Sequence, residues 1–424
     1  MKSVCLIFPK STFLEDPMVY PPLGLWYVWA ELEKLGYEVD YRDLSEDELP
    51  LAHDTYFISG TSPQVTEIKR VVKTLKEEVP EARIVLGGSH AMTHDGQMLL
   101  GYGVDVVFKG EADGPLGVED ALTCKKGTVI NIPFTPDLRH LSLPVRKAAY
   151  RYHAYLYDWE GGKHPTTTMF TSRGCPMRCA FCETQGIWGK RMRWTPFATV
   201  KREIEQIVEM GFTGIMFYDD IFPLNKPRTL KMLDVLKYHH KHNDLIWRCF
   251  LRTDVIEKHG GYEYLKLMRE AGLREVLAGV ESGSNQIKEN VQKGTTIEQD
   301  TQALQWCKAL GIAFKAALIL GLPGETMETM QATKRWVLKN RPDRVDVNTL
   351  IPFPGTPLTE NIADYDLYID ESQLVRGEFP EEYFYKGPRE SGEALVGTAA
   401  LTPEQIKDFR DGFVQEIMAG GIPY

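Results

Sequence analysis

Two series of short apolar runs, each alternating with helical stretches, restrict the folds open to this 424-residue chain more than any other feature. The first series fills residues 1–125, with β-type runs at Val4–Phe8, Glu38–Tyr41, Tyr56–Ser59, Arg83–Leu86 and Val104–Phe108. After the first run, Leu23, Trp26, Tyr27, Ala30 and Leu35 recur at helical spacing, and Gly36 closes the helix. Trp26 and Trp29 read as core-facing residues of that helix. Strand–helix alternation of this kind predicts an α/β fold with a doubly wound parallel sheet.

From 126 to 165 the pattern lapses into segments bearing Pro, His and Tyr, which read as a linker packed on the surface. The second series occupies 166–357. Its candidate strands are Thr167–Thr171, Gly214–Tyr218, Leu245–Phe250, Glu275–Val280, Ala313–Leu320 and Arg344–Ile351. Six β/α units are two short of a closed eightfold barrel, so an open, partial (β/α)6 barrel of TIM type is expected. Its chemistry should sit at the carboxyl ends of the strands. Residues 358–424 form a small, mainly helical C-terminal region, in which Thr402-Pro403-Glu404-Gln405 has the form of a capping box opening a last helix.

Composition narrows the partners. Lys and Arg number 49 against 59 Asp and Glu, a net charge of −10, with no basic block. That argues against nucleic acid, whose phosphates demand a basic surface. The longest apolar run, Ala316 to Leu322, is too short to span a membrane. The run at Val4–Phe8 is also too short for a signal peptide and ends in Pro9-Lys10, so it reads as a first strand. Cys5, Cys124, Cys249 and Cys307 are scattered singly, the usage of a reducing compartment, and a cytoplasmic location is expected.

The other three cysteines are different. Cys175, Cys179 and Cys182 stand in the order C-x3-C-x2-C, on the loop after the first strand of the second series. A four-iron cubane cluster is usually held by four thiolates. Three leave one iron open to a small molecule that can accept an electron. A zinc site is the competing reading, but zinc wants four ligands, typically in two separated pairs. His164 lies before the strand, and no second Cys/His pair follows.

The stretch Thr171-Ser172-Arg173-Gly174-Cys175-Pro176-Met177-Arg178-Cys179-Ala180-Phe181-Cys182 resembles the signature of radical S-adenosylmethionine enzymes. The resemblance implies a 4Fe-4S cluster on the three cysteines. S-adenosylmethionine would chelate the open iron and be cleaved by one electron to methionine and a 5′-deoxyadenosyl radical. It also implies that the backbone of Phe181 contacts the adenine. Tyr218 and Asp219, in Phe217-Tyr218-Asp219-Asp220, end the second strand, where the family binds the methionine amino group. Glu281 and Ser282 end the fourth, at the ribose and carboxylate, and Gly321 and Pro323 follow the fifth, at the adenine. Pro352-Phe353-Pro354-Gly355-Thr356-Pro357 follows the sixth in the same manner. Taken singly, a glycine after a strand is usually a turn and an Asp pair usually a cap. Their regular placement carries the reading. Arg252 is a candidate partner of the substrate carboxylate, or equally of Glu281.

The first domain resembles the Rossmann-like, cobalamin-binding domain that precedes the radical domain in one group of these enzymes. The matching residues are Pro21, Leu23 and Gly24 in Pro21-Pro22-Leu23-Gly24-Leu25, Ser59 and Thr61, Gly87 and Gly88 with His90, and Gly110 with Glu111. The phosphate fingerprint of nicotinamide domains, G-x-G-x-x-G, is missing after the first strand. No histidine precedes His53, so the first loop cannot supply a ligand below cobalt. Cobalamin would then sit with its own base displaced and no protein histidine on the metal. His90 is read as a pocket contact, against the plainer reading of a hydrogen-bonded turn residue.

These resemblances imply a cobalamin-dependent radical enzyme that methylates an unactivated carbon of a small-molecule, lipid or peptide substrate. An external electron donor such as flavodoxin or ferredoxin would supply the electron. A cyclase or rearrangement enzyme of the same architecture is one alternative, and a non-catalytic cobalamin or iron–sulfur sensor another. No side chain beyond the cluster ligands is assigned to the chemistry. The aromatic residues Tyr365, Tyr368, Phe379, Tyr383, Phe384 and Tyr385 are where specificity would be set, with plain packing as the other reading.

Overall fold

The computed structural model describes residues 3–114, 117–157, 161–373 and 393–424. They divide into two compact units. The first comprises Met1–His153 together with Glu183–Gly189 and Arg193–Thr199, and the second Ala154–Cys182, Lys190–Met192 and Val200–Tyr424.

In the first unit, strands β1 (Ser3–Phe8), β2 (Glu38–Asp43), β3 (Thr55–Ser59), β4 (Arg83–Gly87), β5 (Val106–Lys109) and β6 (Thr128–Asn131) form one sheet in the order β2-β1-β3-β4-β5-β6. All the pairings are parallel. Central strands such as β1 are apolar on both faces because helices cover both. Helix α2 (Val65–Glu78) buries Val65, Ile68, Val71, Val72 and Leu75, a stripe at helical spacing that packs on Cys5, Ile7, Tyr56, Ile58 and Ile84. Helix α1 (Leu23–Lys34) buries both Trp26 and Trp29. Strand β6 falls inside the stretch read above as a linker. Its four residues, Thr-Val-Ile-Asn, are too short a run for periodicity to separate from loop.

The second unit holds six parallel strands: β8 (Lys163–Met169), β9 (Gly214–Phe217), β10 (Ile246–Leu251), β11 (Leu273–Glu281), β12 (Ala313–Leu320) and β13 (Arg344–Thr349). They lie in chain order, with a three-residue strand β7 (Tyr155–Tyr157) antiparallel at the β8 edge. Among the described residues β7 and β13 are the two edges and do not meet, so the barrel is open. Strand β12 alternates buried and half-buried positions along its length, as expected of a strand with one face under helices and one lining the barrel. A hairpin of β14 (Leu367–Ile369) and β15 (Val396–Thr398) precedes the last helix, Pro403–Ala419. That helix opens with the expected box: Gln405 N donates to Thr402 Oγ1, and Gln405 Oε1 accepts from Thr402 N. Of the C-terminal aromatics, Phe379, Tyr383, Phe384 and Tyr385 lie outside the described residues.

Candidate cofactor sites

The cysteine loop leaves β8 and is tied down by its backbone. Ala180 is fully buried against Ile287, Val291, Leu322, Leu350 and Leu358. Its N–H donates to Val291 O at 2.9 Å, and its carbonyl accepts from Leu358 N at 3.0 Å. With Ala180 pinned inward, Cys175, Cys179 and Cys182 remain half-buried free thiols on the same turn. Burial pushes the Cys175 thiol up to about 11; Met177 N–H pulls it down, while Asp220, Cys182 and Cys179 push it further. The Cys175 thiol resists ionisation by itself, and a cationic iron cluster is what would reverse that. The loop's residues fit a three-thiolate iron–sulfur centre.

Asp219 holds the start of the loop. Its carboxylate is buried and accepts from Thr171 N at 2.6 Å, Thr171 Oγ1 at 2.5 Å and Ser172 Oγ at 2.5 Å. Burial raises this carboxyl, against the pull of Ser172 and Thr171. Expected as a contact for the methionine amino group, Asp219 is instead committed to the loop. Its neighbour Asp220, which the sequence reading passed over, is the acid whose field reaches Cys175. Asp219→Asn replaces one acceptor oxygen with a donor facing hydroxyls. The expected cost is about 1–3 kcal/mol in urea unfolding, with reduced iron uptake on reconstitution.

Beyond β11 the chain carries a built ion pair. The register against β12 shifts between Gly279 and Glu281, and Glu281 adopts φ 63°, a left-handed conformation unusual for a side chain of its size. The bulge turns its carboxylate onto Lys293 Nζ at 2.6 Å. A Cβ on Gly279 would meet Glu281 Oε1 at 2.2 Å and Lys293 Nζ at 2.6 Å, so a larger residue there has to displace the ends of this pair. Arg252 does not pair with Glu281, which Lys293 takes instead. Its Nε lies 3.0 Å from Asp254 Oδ1, its Nη2 lies 2.7 Å from Lys293 O, and its Nη1 lies 3.8 Å from Cys179 Sγ. Ser282 is fully buried, with its Oγ 3.3 Å from Thr333 Oγ1 and accepting from Ser284 N at 3.2 Å.

The remaining expected positions sit close by in the fold. Phe181 packs at the edge of the Ala180 cluster. Tyr218 stacks on Phe250 with ring centroids 5.8 Å apart. Pro323 O accepts from Asn290 Nδ2 at 2.8 Å. Gly321 N donates to Glu325 Oε2 at 2.6 Å, and Leu322 N does so at 3.1 Å. Glu325, unmarked by the sequence reading, therefore holds the turn after β12. Burial lifts its carboxyl from the ordinary range to about 8. The folded state keeps a proton there that the unfolded chain loses above roughly pH 4.5, so this group makes stability fall as pH rises toward 8. The slope approaches about 1.4 kcal/mol per pH unit. Glu325→Gln is expected to flatten that part of a urea-midpoint profile between pH 5 and 8; an unchanged slope would count against it.

In the first unit, a narrow apolar cleft opens at the carboxyl ends of β3, β4 and β5. It is lined by Leu25, Val28, Phe57, Ser59, Gly87, Gly88, Phe108, Gly110 and Val118, among others. A Cβ on Gly87 would meet nothing nearer than Phe108 at 3.9 Å, leaving the floor open. Gly88 serves the loop instead: with φ +88°, a Cβ there would lie 2.6 Å from Gly60 O. The apolar walls and open glycine floor suit the flat, apolar base of a corrin nucleotide. No histidine lines the cleft.

Of the residues read for cobalamin, Ser59, Gly87, Gly88 and Gly110 line it. Pro21, Leu23, Gly24, Thr61, His90 and Glu111 do not. Thr61 caps the turn at Gln64, with Thr61 N donating to Gln64 Oε1 at 2.9 Å. His90 is buried, with Nδ1 3.3 Å from Ser62 Oγ and Nε2 3.2 Å from Tyr102 OH. Burial pulls it down to about 3, with His94 and Lys69 adding, so it stays neutral. Both its ring nitrogens are engaged as a turn residue's would be. Glu111 is buried too, accepting from Arg193 Nη1 at 2.6 Å and from Thr135 Oγ1 at 2.8 Å. The apolar walls Leu25, Val28, Phe57 and Phe108 escaped sequence reading because apolar helix and strand positions look like any core.

An α/β unit with a glycine-floored cleft, followed by an open barrel with three thiols after its first parallel strand, defines an enzyme built for two cofactors. The profile of the B12 binding domain matches residues 13–118, and that of the Radical SAM superfamily matches 169–337. The chain belongs to the cobalamin-binding group of the radical SAM enzymes, with a 4Fe-4S cluster, S-adenosylmethionine and cobalamin as its cofactors. An uncharacterized methyltransferase, PH0819 of Pyrococcus horikoshii, is 27% identical over 373 residues, covering 80% of this chain and 78% of its own length. The anaerobic magnesium-protoporphyrin IX monomethyl ester cyclase of Cereibacter sphaeroides is 24% identical, covering 84% of this chain, which spans 62% of the cyclase. The radical S-adenosylmethionine methyltransferase TsrM of Kitasatospora setae, solved with cobalamin and a 4Fe-4S cluster, shares the fold. Its TM-score is 0.70 at 18% identity, over 90% of this chain and 79% of that one. No helix among the described residues is long and apolar enough to cross a membrane.

Proposed function

We propose that this protein is a radical S-adenosylmethionine C-methyltransferase that uses cobalamin to methylate an unactivated carbon. The observation that carries the reading is the pairing of the half-buried thiol triplet with a histidine-free, glycine-floored cleft. The methyltransferase relatives reported above support methyl transfer; the cyclase relative is the ground for a second reading, cyclisation without methyl transfer. When bound, the cofactors supply one-electron cleavage of S-adenosylmethionine and a transferable methyl group on the corrin.

The chain's own residues hold and orient them. Cys175, Cys179 and Cys182 ligate the cluster, and Asp219 fixes the loop that carries them through Thr171 and Ser172. Phe181, Tyr218, Gly321 and Pro323 border the nucleoside, with Glu325 shaping the turn beneath Gly321. The Glu281–Lys293 pair lies beside them and offers charge to the amino-acid portion. Ser59, Gly87, Gly88 and Gly110 admit the corrin nucleotide. Among the described residues no histidine lines the cleft, so it would offer cobalamin no imidazole ligand, as expected for binding with the cofactor's own base displaced. Residues 1–125 and 166–357 serve as the two cofactor domains, and 358–424 adapts the site to substrate. A cytoplasmic, low-potential donor such as ferredoxin or flavodoxin supplies the electron.

The test is anaerobic reconstitution with iron, sulfide and cobalamin, then product analysis with candidate small-molecule, lipid and peptide substrates. S-adenosylhomocysteine, 5′-deoxyadenosine and methylated product should form together. Deoxyadenosine without homocysteine product would favour the cyclase, and no cleavage of S-adenosylmethionine at all would sink both.

A further inference from the structure

The guanidinium of Arg252 is held on three sides. It is only 7% exposed. Its Nε and Nη2 form a fork on Asp254, at 3.0 and 3.1 Å, and Nη2 also donates to Lys293 O at 2.7 Å. Gly294, at φ +71°, brings the backbone beside it: a Cβ there would come within 3.4 Å of Nη2. With Nε and Nη2 engaged, Nη1 is the remaining donor, and it points at Cys179 Sγ across 3.8 Å. The charges around this thiol are unequal in commitment. Lys293 is nearby but matched to Glu281 at 2.6 Å, and Asp220 acts on Cys175 from the other side. Arg252 alone among these groups sends a hydrogen bond to a thiol sulfur.

We infer that Arg252 is a potential-setting residue of the cluster: it donates an N–H···S bond to the Cys179 thiolate and raises the cluster's reduction potential, easing entry of the electron that starts the reaction. This rests on the proposed reading of Cys179 as a ligand. Hydrogen bonds to the sulfurs and local charge are among the main determinants of cluster potential, because both stabilise the extra negative charge of the reduced state. The Asp254 fork keeps Nη1 in place before any cluster is present, so no side-chain reorganisation accompanies reduction. The sequence alone had suggested the substrate carboxylate or, equally, Glu281 as the partner of Arg252.

The test is a redox titration of reconstituted protein, followed by electron paramagnetic resonance in the absence of S-adenosylmethionine. The parent, Arg252→Lys and Arg252→Met are compared at equal iron content. Lysine keeps the charge but cannot hold Asp254, Lys293 O and Cys179 together. Midpoint potentials should fall in the order parent, Lys, Met. A potential that is unchanged, or that rises in the Met variant, overturns the inference while leaving the cysteine assignment standing. A parent protein that assembles no four-iron cluster overturns both. Should the variants fail to fold, parent protein labelled with guanidino-15N arginine gives the same answer. A hyperfine coupling of that nitrogen to the reduced cluster is expected, and its absence overturns the proposal.

Discussion

Cys179→Ala is expected to reduce cleavage of S-adenosylmethionine to the uncatalysed background while leaving corrin uptake at parental levels. The loop around Cys179 is held by groups that the substitution does not touch: the Ala180 backbone on Val291 and Leu358, and Asp219 on Thr171 and Ser172. The fold therefore survives, and what is lost is one of three thiolates. A cluster with two protein ligands has no stable four-iron form on this loop. The glycine-floored cleft proposed for the corrin is built from residues between Leu25 and Ala121, which belong to the first compact unit. Iron content, deoxyadenosine release and the corrin absorption spectrum read the three quantities independently. Cleavage persisting in Cys179→Ala, or loss of corrin along with iron, would refute the two-site arrangement.

The second large effect is at Glu111. Its side chain and that of Arg193 are 1% and 3% exposed, and they meet at 2.6 Å. Thr135 N and Oγ1 donate to the same carboxylate oxygen, while Arg193 also reaches Thr135 O and Trp188 O. Removing one member of a buried pair leaves the other charge uncompensated, which costs about 3–5 kcal/mol. Glu111→Ala should lower thermal stability by that order. Glu111→Gln keeps a neutral acceptor for Thr135 and should cost clearly less. The consequence is local as well: residues 183–189 and 193–199, which follow the last cysteine, belong to the same unit as Glu111. Amide hydrogen exchange in that stretch should accelerate in Glu111→Ala. Parental exchange and an unshifted melting midpoint would show that the pair holds nothing.

Much of the architecture was legible in the pattern of residues. Strand Ala313–Leu320 falls where the second series of apolar runs puts it, and the helix buried through Trp26 and Trp29 falls where helical spacing puts it. The capping box at Thr402 was legible because its hydrogen bonds are local to four residues. The cysteine loop was legible for a similar reason, since spacing alone puts three thiols on one turn. Positions whose partners are distant in sequence were not. Arg252 was read toward the substrate carboxylate or Glu281; its contact with Cys179, seventy-three residues away, left no mark in the sequence. Asp219 and Asp220 look equivalent in the chain, but Asp219 is buried and bonded to the start of the cysteine loop, whereas Asp220 is half-buried and acts on Cys175 through its charge.

By itself, then, the sequence determined two α/β units, the triplet of thiols on one loop and the lack of a histidine in the first loop, because strand period, helix period and cysteine spacing are properties of neighbouring residues. Tertiary structure alone decided which acid holds the cysteine loop, which arginine donor reaches a thiol, and which glycines open a cleft rather than ease a turn. Those outcomes depend on burial and on partners brought together from far along the chain, and a buried charge takes its role from whichever group meets it there.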